Sequence, residues 1–293
     1  MFLMIDLLNL EFKQNESLKN YNTFKIGGNT KYLFIIRSTN NLIEVCKQLK
    51  LHNIKHKVIG MGSNLLFDNL GYNGAIIVNK TNSIEFKNNC VIADGGVNLT
   101  ALIFKASELG LSGLENLSGI PSTLAGGVVN NVGAFGTEIA DFIESIECVD
   151  ANFNKIILSK ENCKFSYRNS IFKHKNLIIT KVILKLKKDD KSLIKQRIQN
   201  AIKQKTTTQP LNYPSAGSVF KRCEIIPGKV IDELGLKGTK IGGAEISTKH
   251  AGFIVNNSSA TSQDVKELII LIKEKVKLTH NVDLTEEIEF VEY

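Results

Sequence analysis

The chain has 293 residues, 43% of them hydrophobic and 23% charged, with a formal net charge of +8. That length exceeds what one simple core holds and points to two or three compact units of ordinary soluble composition. The longest apolar candidate, Leu268 to Ile272, is cut by Lys273 and Glu274, and lysines alternate with acids, as in Lys266-Glu267, so neither a membrane nor nucleic acid is an expected partner.

Met1 to Leu10 is apolar but carries Asp6 and lacks both a basic leader and a small-residue cleavage pattern, so no secretory signal is expected and a cytoplasmic location follows. Tyr32 to Arg37 reads as a strand. It precedes a helix opened by Asn41-x-x-Glu44, with Leu42, Val45, Cys46 and Leu49 at helical spacing. Lys57 to Gly60 and Ala75 to Val78 are further strands. Val91 to Asp94 turns at Gly95-Gly96 into a helix whose Leu99, Leu102, Ile103, Ala106 and Leu109 share one face. Strands at Ile143 to Val149, Lys155 to Leu158 and Leu177 to Leu186 lead to a basic helix from about Lys191 to Lys205. After the loop Thr206 to Pro214 come short strands and turns. A helix opened by Thr261-x-x-Asp264 then carries Val265, Leu268, Ile269, Ile272 and Val276 on one face, and Ile288 to Val291 is the last strand. The five cysteines (Cys46, Cys90, Cys148, Cys163, Cys223) are odd in number and never form C-x-x-C, which argues for buried free thiols and against disulfides or a metal site.

Two stretches carry the chemistry. Gly60-Met-Gly62-Ser63-Asn64-Leu65 follows a strand, where glycine lets backbone N–H groups approach a phosphate and Ser63 and Asn64 add donors. Alone, such a turn is commonplace, and it is no G-x-G-x-x-G fingerprint because Leu65 holds the third glycine position. Residues 110 to 136, however, hold seven of the chain's 22 glycines, a density that marks a loop system. Within it runs Gly119-Ile-Pro121-Ser122-Thr123-Leu-Ala125-Gly126-Gly127-Val-Val-Asn130-Asn131-Val-Gly133-Ala134-Phe-Gly136. Two separated glycine cradles suit a ligand with two phosphates and two aromatic ends, and FAD fits that description.

The succession Tyr21-Asn-Thr-Phe-Lys-Ile-Gly-Gly28, Gly60-x-Gly-Ser-Asn64, Gly119-Ile-Pro-x-Thr123 and Asn131-x-Gly-Ala134 resembles the UDP-N-acetylenolpyruvoylglucosamine reductase family. The match runs in order from about residue 19 to residue 288. Ser122 and Ala125 depart from it, standing where the family usually has glycine. The resemblance implies an α+β chain: a two-part FAD-binding domain of the vanillyl-alcohol-oxidase type plus a separate α+β substrate-binding domain. Subdomain 1 is expected at 1–78, subdomain 2 at 79–207 with segment 281–293 returning to it, and the substrate domain at 208–280. It also implies FAD as cofactor and NADPH as co-substrate. Gly60, Gly62, Ser63, Asn64, Leu65, Gly119, Pro121, Ser122, Thr123, Gly126, Asn131, Gly133 and Ala134 would line the flavin.

Reducing an enol ether that bears a carboxylate needs a hydride, stabilisation of the enolate, and one proton. By resemblance Ser218, in Gly217-Ser-Val-Phe-Lys221, gives the proton, while Arg168, in Tyr167-Arg-Asn-Ser-Ile-Phe-Lys173, and Glu287 polarise the enolate. The family usually has Pro and then a basic residue around that glutamate, whereas Glu286 and Glu289 flank it here, which leaves Glu286 open as an alternative. Tyr167, Lys221, Arg222 and His250 are the expected substrate-binding residues. Only 50 positions (218 − 168) separate Arg168 from Ser218, an interval similar to the family's second class, which lacks an inserted tyrosine-bearing loop. A monomer acting on a UDP-sugar enol ether is the expectation. A flavin oxidase acting on a small alcohol would keep both glycine loops without needing Arg168, Ser218 and Glu287. A flavin- or nucleotide-binding protein without turnover is the other rival.

Overall fold

A computed structural model describes residues 12–293. The Met1 to Leu10 run lies outside them. By compactness the described chain falls into two units: Phe34–Met61 and Ala75–Lys205 with Phe12, and Lys13–Leu33, Gly62–Gly74 and Thr206–Tyr293.

The first unit is built on an antiparallel sheet in the order Lys155–Ser159, Ile143–Val149, Ile178–Lys185, Cys90–Asp94, Ile84–Lys87. Val182 stands opposite both Ala93 and Ile146, and Leu184 opposite Val91, so the pleat turns one apolar set to the same face. Leu99, Leu102, Ile103 and Ala106 of the helix Leu99–Glu108 pack there, with Ile194 and Ile198 of the basic helix Lys191–Thr208. Each such Leu or Ile, fully buried, contributes about 1.5–3 kcal/mol. Asn98 caps the first of these helices, its side chain accepting from the Ala101 amide. Leu109 was expected on the same apolar face. Instead it is 45% exposed, because the helix ends at Glu108 and Gly110 adopts a left-handed φ of +68 that turns the chain away. The helix Thr39–Leu51 likewise starts ahead of the expected Asn41, since the Ser38 hydroxyl accepts from the Asn41 amide and is the true cap. Strand His56–Ile59 pairs in parallel with Ala75 to Val78 and ends at the first glycine loop.

In the second unit the antiparallel order is Ser215–Ser218, Phe253–Asn256, Ala244–Ile246, Lys240–Ile241. Helix Ser262–His280 buries Val265, Leu268, Ile269, Ile272 and Val276 in a cluster shared with Ile246 and Ile254 of the sheet and with Phe24, Ile26 and Leu66. The compactness division in this stretch lies between Lys205 and Thr206. The C-terminal segment differs from its expected return to 79–207. Glu289–Val291 pairs in parallel with Leu65–Phe67, so its backbone partners lie in the second unit.

Cys46, Cys148 and Cys163 are buried, and burial pushes their thiols up to about 12, 11 and 11. Cys90 is half-buried and Cys223 exposed, unlike the expectation of buried thiols throughout. No helix among the described residues is long and apolar enough to cross a membrane.

The last helix opens on a reciprocal cap. Thr261 Oγ1 accepts from the Asp264 amide at 3.0 Å, and Asp264 Oδ2 accepts from the Thr261 amide at 2.9 Å. Thr261→Ala is expected to lower stability by about 1 kcal/mol, read as a lower urea midpoint at unchanged slope. An unchanged midpoint would show that the cap does not hold this helix.

Candidate active site

The two glycine loops touch each other in the first unit. A β-carbon on Gly60 would lie 2.2 Å from Thr123 Oγ1 and 2.9 Å from its methyl, so only glycine admits this approach. Thr123 cannot swing away cheaply, because its Oγ1 accepts from the Gly126 amide at 3.2 Å as the N-cap of the short helix Leu124–Val129. Both departures from the family pattern fit here. Ala125 donates its amide to Gly95 O at 2.8 Å, and its methyl occupies the space that the missing side chain of Gly95 leaves. Ser122 is buried, with its hydroxyl donating to Thr123 O at 2.8 Å. Pro121 is exposed.

The fit of a cofactor is legible in the polar atoms. Among the described residues three buried side-chain polar atoms have no hydrogen-bond partner: Asn22 Oδ1, His52 Nε2 and Ser118 Oγ. Two of the three adjoin the glycine loops. Ser118 directly precedes Gly119, whose φ is +75. Asn22 crowds Gly62, where a β-carbon would stand 2.8 Å from Asn22 Cα and 2.4 Å from Tyr21 O. Leaving a buried polar atom unpaired costs about 1–3 kcal/mol, so orphans beside two cradles mark positions that await a polar ligand. Within the first unit, the Ser118 hydroxyl beside Gly119 suits a polar cofactor such as FAD.

Other expected flavin residues are already committed. Asn131 is fully buried with a left-handed φ of 41. Its amide nitrogen donates to Glu138 Oε2 at 2.7 Å and Ser166 O at 3.1 Å, and its oxygen accepts from the Ala140 amide at 3.2 Å. Its side chain therefore holds the loop, and its backbone amide donates to Val128 O at 3.0 Å. Gly133 admits the Arg168 guanidinium, whose Nη1 would lie 3.3 Å from a β-carbon there. Arg168 Nη2 donates to Gly133 O at 2.9 Å and Nη1 to Asn131 O at 3.4 Å, which fixes the plane of the fork. Arg168 itself has φ 53 and its guanidinium sits 5.2 Å over the exposed Tyr167 ring. Asn131, Phe135 and Arg168, all non-glycine residues with left-handed backbones, thus gather around one loop, and such conformations persist where the surroundings enforce them. Ala134 follows Gly133 in the short strand Gly133–Ala134.

Ser218, Glu287, Lys221, Arg222 and His250 belong to the second unit, as do Gly62, Ser63, Asn64 and Leu65. Ser215 faces Val255 and Ser218 faces Phe253, so one extra residue bulges between them, with Gly217 at φ +80. The bulge re-aims the chain: Ala216, Val219 and Phe220 are buried while Ser218 is exposed. Alongside runs the C-terminal segment. The Glu287 amide donates to Val219 O at 2.7 Å, and the Lys221 amide to Thr285 O at 2.9 Å. Asn64 ties down the same segment, its side-chain amide donating to Glu287 O at 2.9 Å while its own carbonyl accepts from the Glu289 amide. Leu65 is buried in the strand that pairs with Glu289. Ser218 and Glu287 are therefore brought onto adjacent chains. Glu286 is bound elsewhere, accepting from Lys273 Nζ of the last helix at 2.8 Å. His250 Nδ1 accepts from the Gly252 amide at 3.1 Å and the ring meets Phe253 edge-on at 4.9 Å. Burial lowers its pKa, so the neutral ring keeps its proton on Nε2 as a donor. Lys221 is half-buried and Arg222 exposed.

Motif spacing assigns no role to Asn22, Ser118 or Glu138. Asn22 stands inside the quoted Tyr21 motif, but its orphan oxygen is visible only once Gly62 is packed against it.

Comparison with known proteins places the chain among named relatives. Residues 30–153 match the model of an FAD binding domain, and residues 209–291 match that of the C-terminal domain of UDP-N-acetylenolpyruvoylglucosamine reductase. The chain is 42% identical to the UDP-N-acetylenolpyruvoylglucosamine reductase of Caldicellulosiruptor bescii, over 96% of this chain and 91% of that protein. It is 41% identical to the enzyme of the same name from a Thermotoga species, over 94% and 91%. The crystal structure of UDP-N-acetylenolpyruvylglucosamine reductase from Thermus caldophilus superposes with a TM-score of 0.81 at 32% identity, covering 96% of this chain and 98% of that one.

Gly60→Ala drives a methyl into Thr123, and overpacking of this kind costs about 1–3 kcal/mol. FAD affinity, titrated by flavin fluorescence quenching, is expected to fall about tenfold or more, and Thr123→Ala in the same chain should recover part of it. A Gly60→Ala variant with unaltered affinity would show that the loop contact does not shape the flavin site.

Proposed function

The chain belongs to the UDP-N-acetylenolpyruvoylglucosamine reductase family, and on that premise we propose that it uses FAD and NADPH to reduce UDP-N-acetylglucosamine enolpyruvate to UDP-N-acetylmuramate, a peptidoglycan precursor. The reading includes a cytoplasmic location and a monomeric working unit. FAD, when bound, supplies a hydride from N5 to the methylene carbon of the enolpyruvyl group.

The protein's task is the rest of the balance. Hydride addition turns the methylene into a methyl and leaves an electron pair shared between the neighbouring carbon and its carboxylate. Arg168 meets that charge with a guanidinium whose orientation two loop carbonyls already fix, so little reorganisation is left for the reaction. Ser218 then gives one proton to the carbon, completing the lactyl ether. A hydroxyl is a weak acid and works only beside a held anion. Glu287, rather than Glu286, is the second polarising group. With Glu286 paired to Lys273, its neighbour along the extended segment is directed to the other side.

The observation that carries the reading is the bulge at Gly217, which exposes Ser218 on a strand whose next residue receives the Glu287 amide. Lys221 and Arg222 come just after that strand and supply charge for a diphosphate, while Tyr167 and the neutral His250 offer further donors to the nucleotide-sugar. Residues 208–280 serve as the substrate-binding domain in this account.

Ser218→Ala removes the proton and little volume. Flavin binding and reduction by NADPH should survive, while the sugar half-reaction falls by about 10²- to 10⁴-fold, or about 3 to 5 kcal/mol. Ser218→Cys, which keeps a transferable proton, should recover part of the rate. Reoxidation of the reduced Ala variant at the unmodified rate, followed by stopped-flow absorbance, would assign the proton to another group.

A further inference from the structure

Helix Lys191–Thr208 sends most of its lysines to solvent, as Lys191, Lys195 and Lys203 are exposed. Lys205 is 4% exposed. A lysine is almost never buried so deeply unless something requires it. Its Nζ donates to Asn116 O at 3.1 Å and to Ser118 O, and lies 5.6 Å from the centre of the Phe135 ring. Its stem runs beneath Gly119, where a β-carbon would come 3.7 Å from Lys205 Cδ. Asn116 reinforces the same junction, its side-chain amide donating to Thr137 Oγ1 at 2.9 Å and Phe135 O at 3.4 Å.

The two segments so joined are the two ends of the second glycine loop. Residues 116–119 open it, with the orphan hydroxyl of Ser118 and the left-handed Gly119. Phe135 closes it, at a φ of 52 that a bulky residue adopts only under constraint. All of these residues lie in the first unit.

We propose that Lys205 is a positioning residue for the flavin: its ammonium ties the segment before Gly119 to the turn at Phe135 and so sets the shape of the loop that receives the cofactor. An ammonium suits the place because its three donors match two carbonyls and a ring face, whereas an apolar side chain would strand both carbonyls. Burial lowers the pKa to about 8, still on the protonated side at neutral pH. The proposal rests on the reading of this loop as part of the flavin site.

The test uses the holoprotein and follows release of FAD by its fluorescence, together with the visible spectrum of the bound flavin. Lys205→Met should release FAD about tenfold faster or more and shift the flavin bands. Lys205→Arg, which keeps charge and donors, should restore both in large part. A purely architectural lysine would lower the melting temperature without moving the spectrum of the flavin that remains bound. If the Met variant does not fold, Lys205→Gln decides, since its amide keeps two donors but is shorter and uncharged: it must release FAD faster than the unmodified protein. Unaltered release and spectrum in the Met variant, or in the Gln variant where that one decides, would overturn the proposal. Failure of the unmodified protein to hold FAD would overturn the flavin reading itself.

Discussion

Thr123 stands where a β-carbon on Gly60 would be, and that forced absence of a side chain organises the flavin half of the molecule. Because Thr123 also caps the helix Leu124–Val129, the contact fixes the first loop, the second loop and the start of the helix at once. Around it the backbone is held in conformations that isolated residues avoid. The left-handed Asn131, Phe135 and Arg168 are kept there by hydrogen bonds from Asn131 to Glu138 and Ser166 and from Arg168 to the carbonyls of Gly133 and Asn131. A loop so constrained presents its amides without having to order them when a ligand arrives, and preorganisation of this kind is what an electrostatic binding site requires.

The second unit solves a different problem, which is how to hold two side chains, Ser218 and Glu287, that lie far apart in sequence and are proposed to act on one substrate. The parallel pairing of Glu289–Val291 with Leu65–Phe67 locks the chain end in register, and a one-residue slip would carry every side chain of that strand to the wrong face. Asn64 adds a side-chain latch to Glu287 O. The bulge before Ser218 supplies the complementary adjustment on the neighbouring chain. In both units, then, a glycine that needs a left-handed or side-chain-free backbone stands beside the residue proposed to bind or react, and the packing around it makes the conformation the stable one.

Local features were legible in the sequence and long-range ones were not. The helix Ser262–His280 follows from Thr261-x-x-Asp264 and from apolar spacing, because both signals lie within a few residues of each other. The strands Ile143–Val149 and Ile178–Lys185 were readable from their β-branched runs. Leu109 was misread because periodicity does not announce a helix end, whereas the left-handed Gly110 does. The residue types of the site came from motifs. What those motifs do not say is how each side chain is spent: the Asn64 amide on a carbonyl 223 residues away, Asn131 on Glu138, Ala140 and Ser166, Glu286 on Lys273. Lys205 carries no signal at all, being one lysine among several in a basic helix until its burial is seen.

The central claim is that bound flavin passes a hydride to the enolpyruvyl sugar. The most direct measurement is anaerobic: reduce the holoprotein with NADPH, mix it with UDP-N-acetylglucosamine enolpyruvate, and follow flavin colour and product together. Rapid return of the oxidised flavin spectrum with one equivalent of the lactyl ether per flavin is the predicted result. Flavin that stays reduced in the presence of the enol ether would contradict the account.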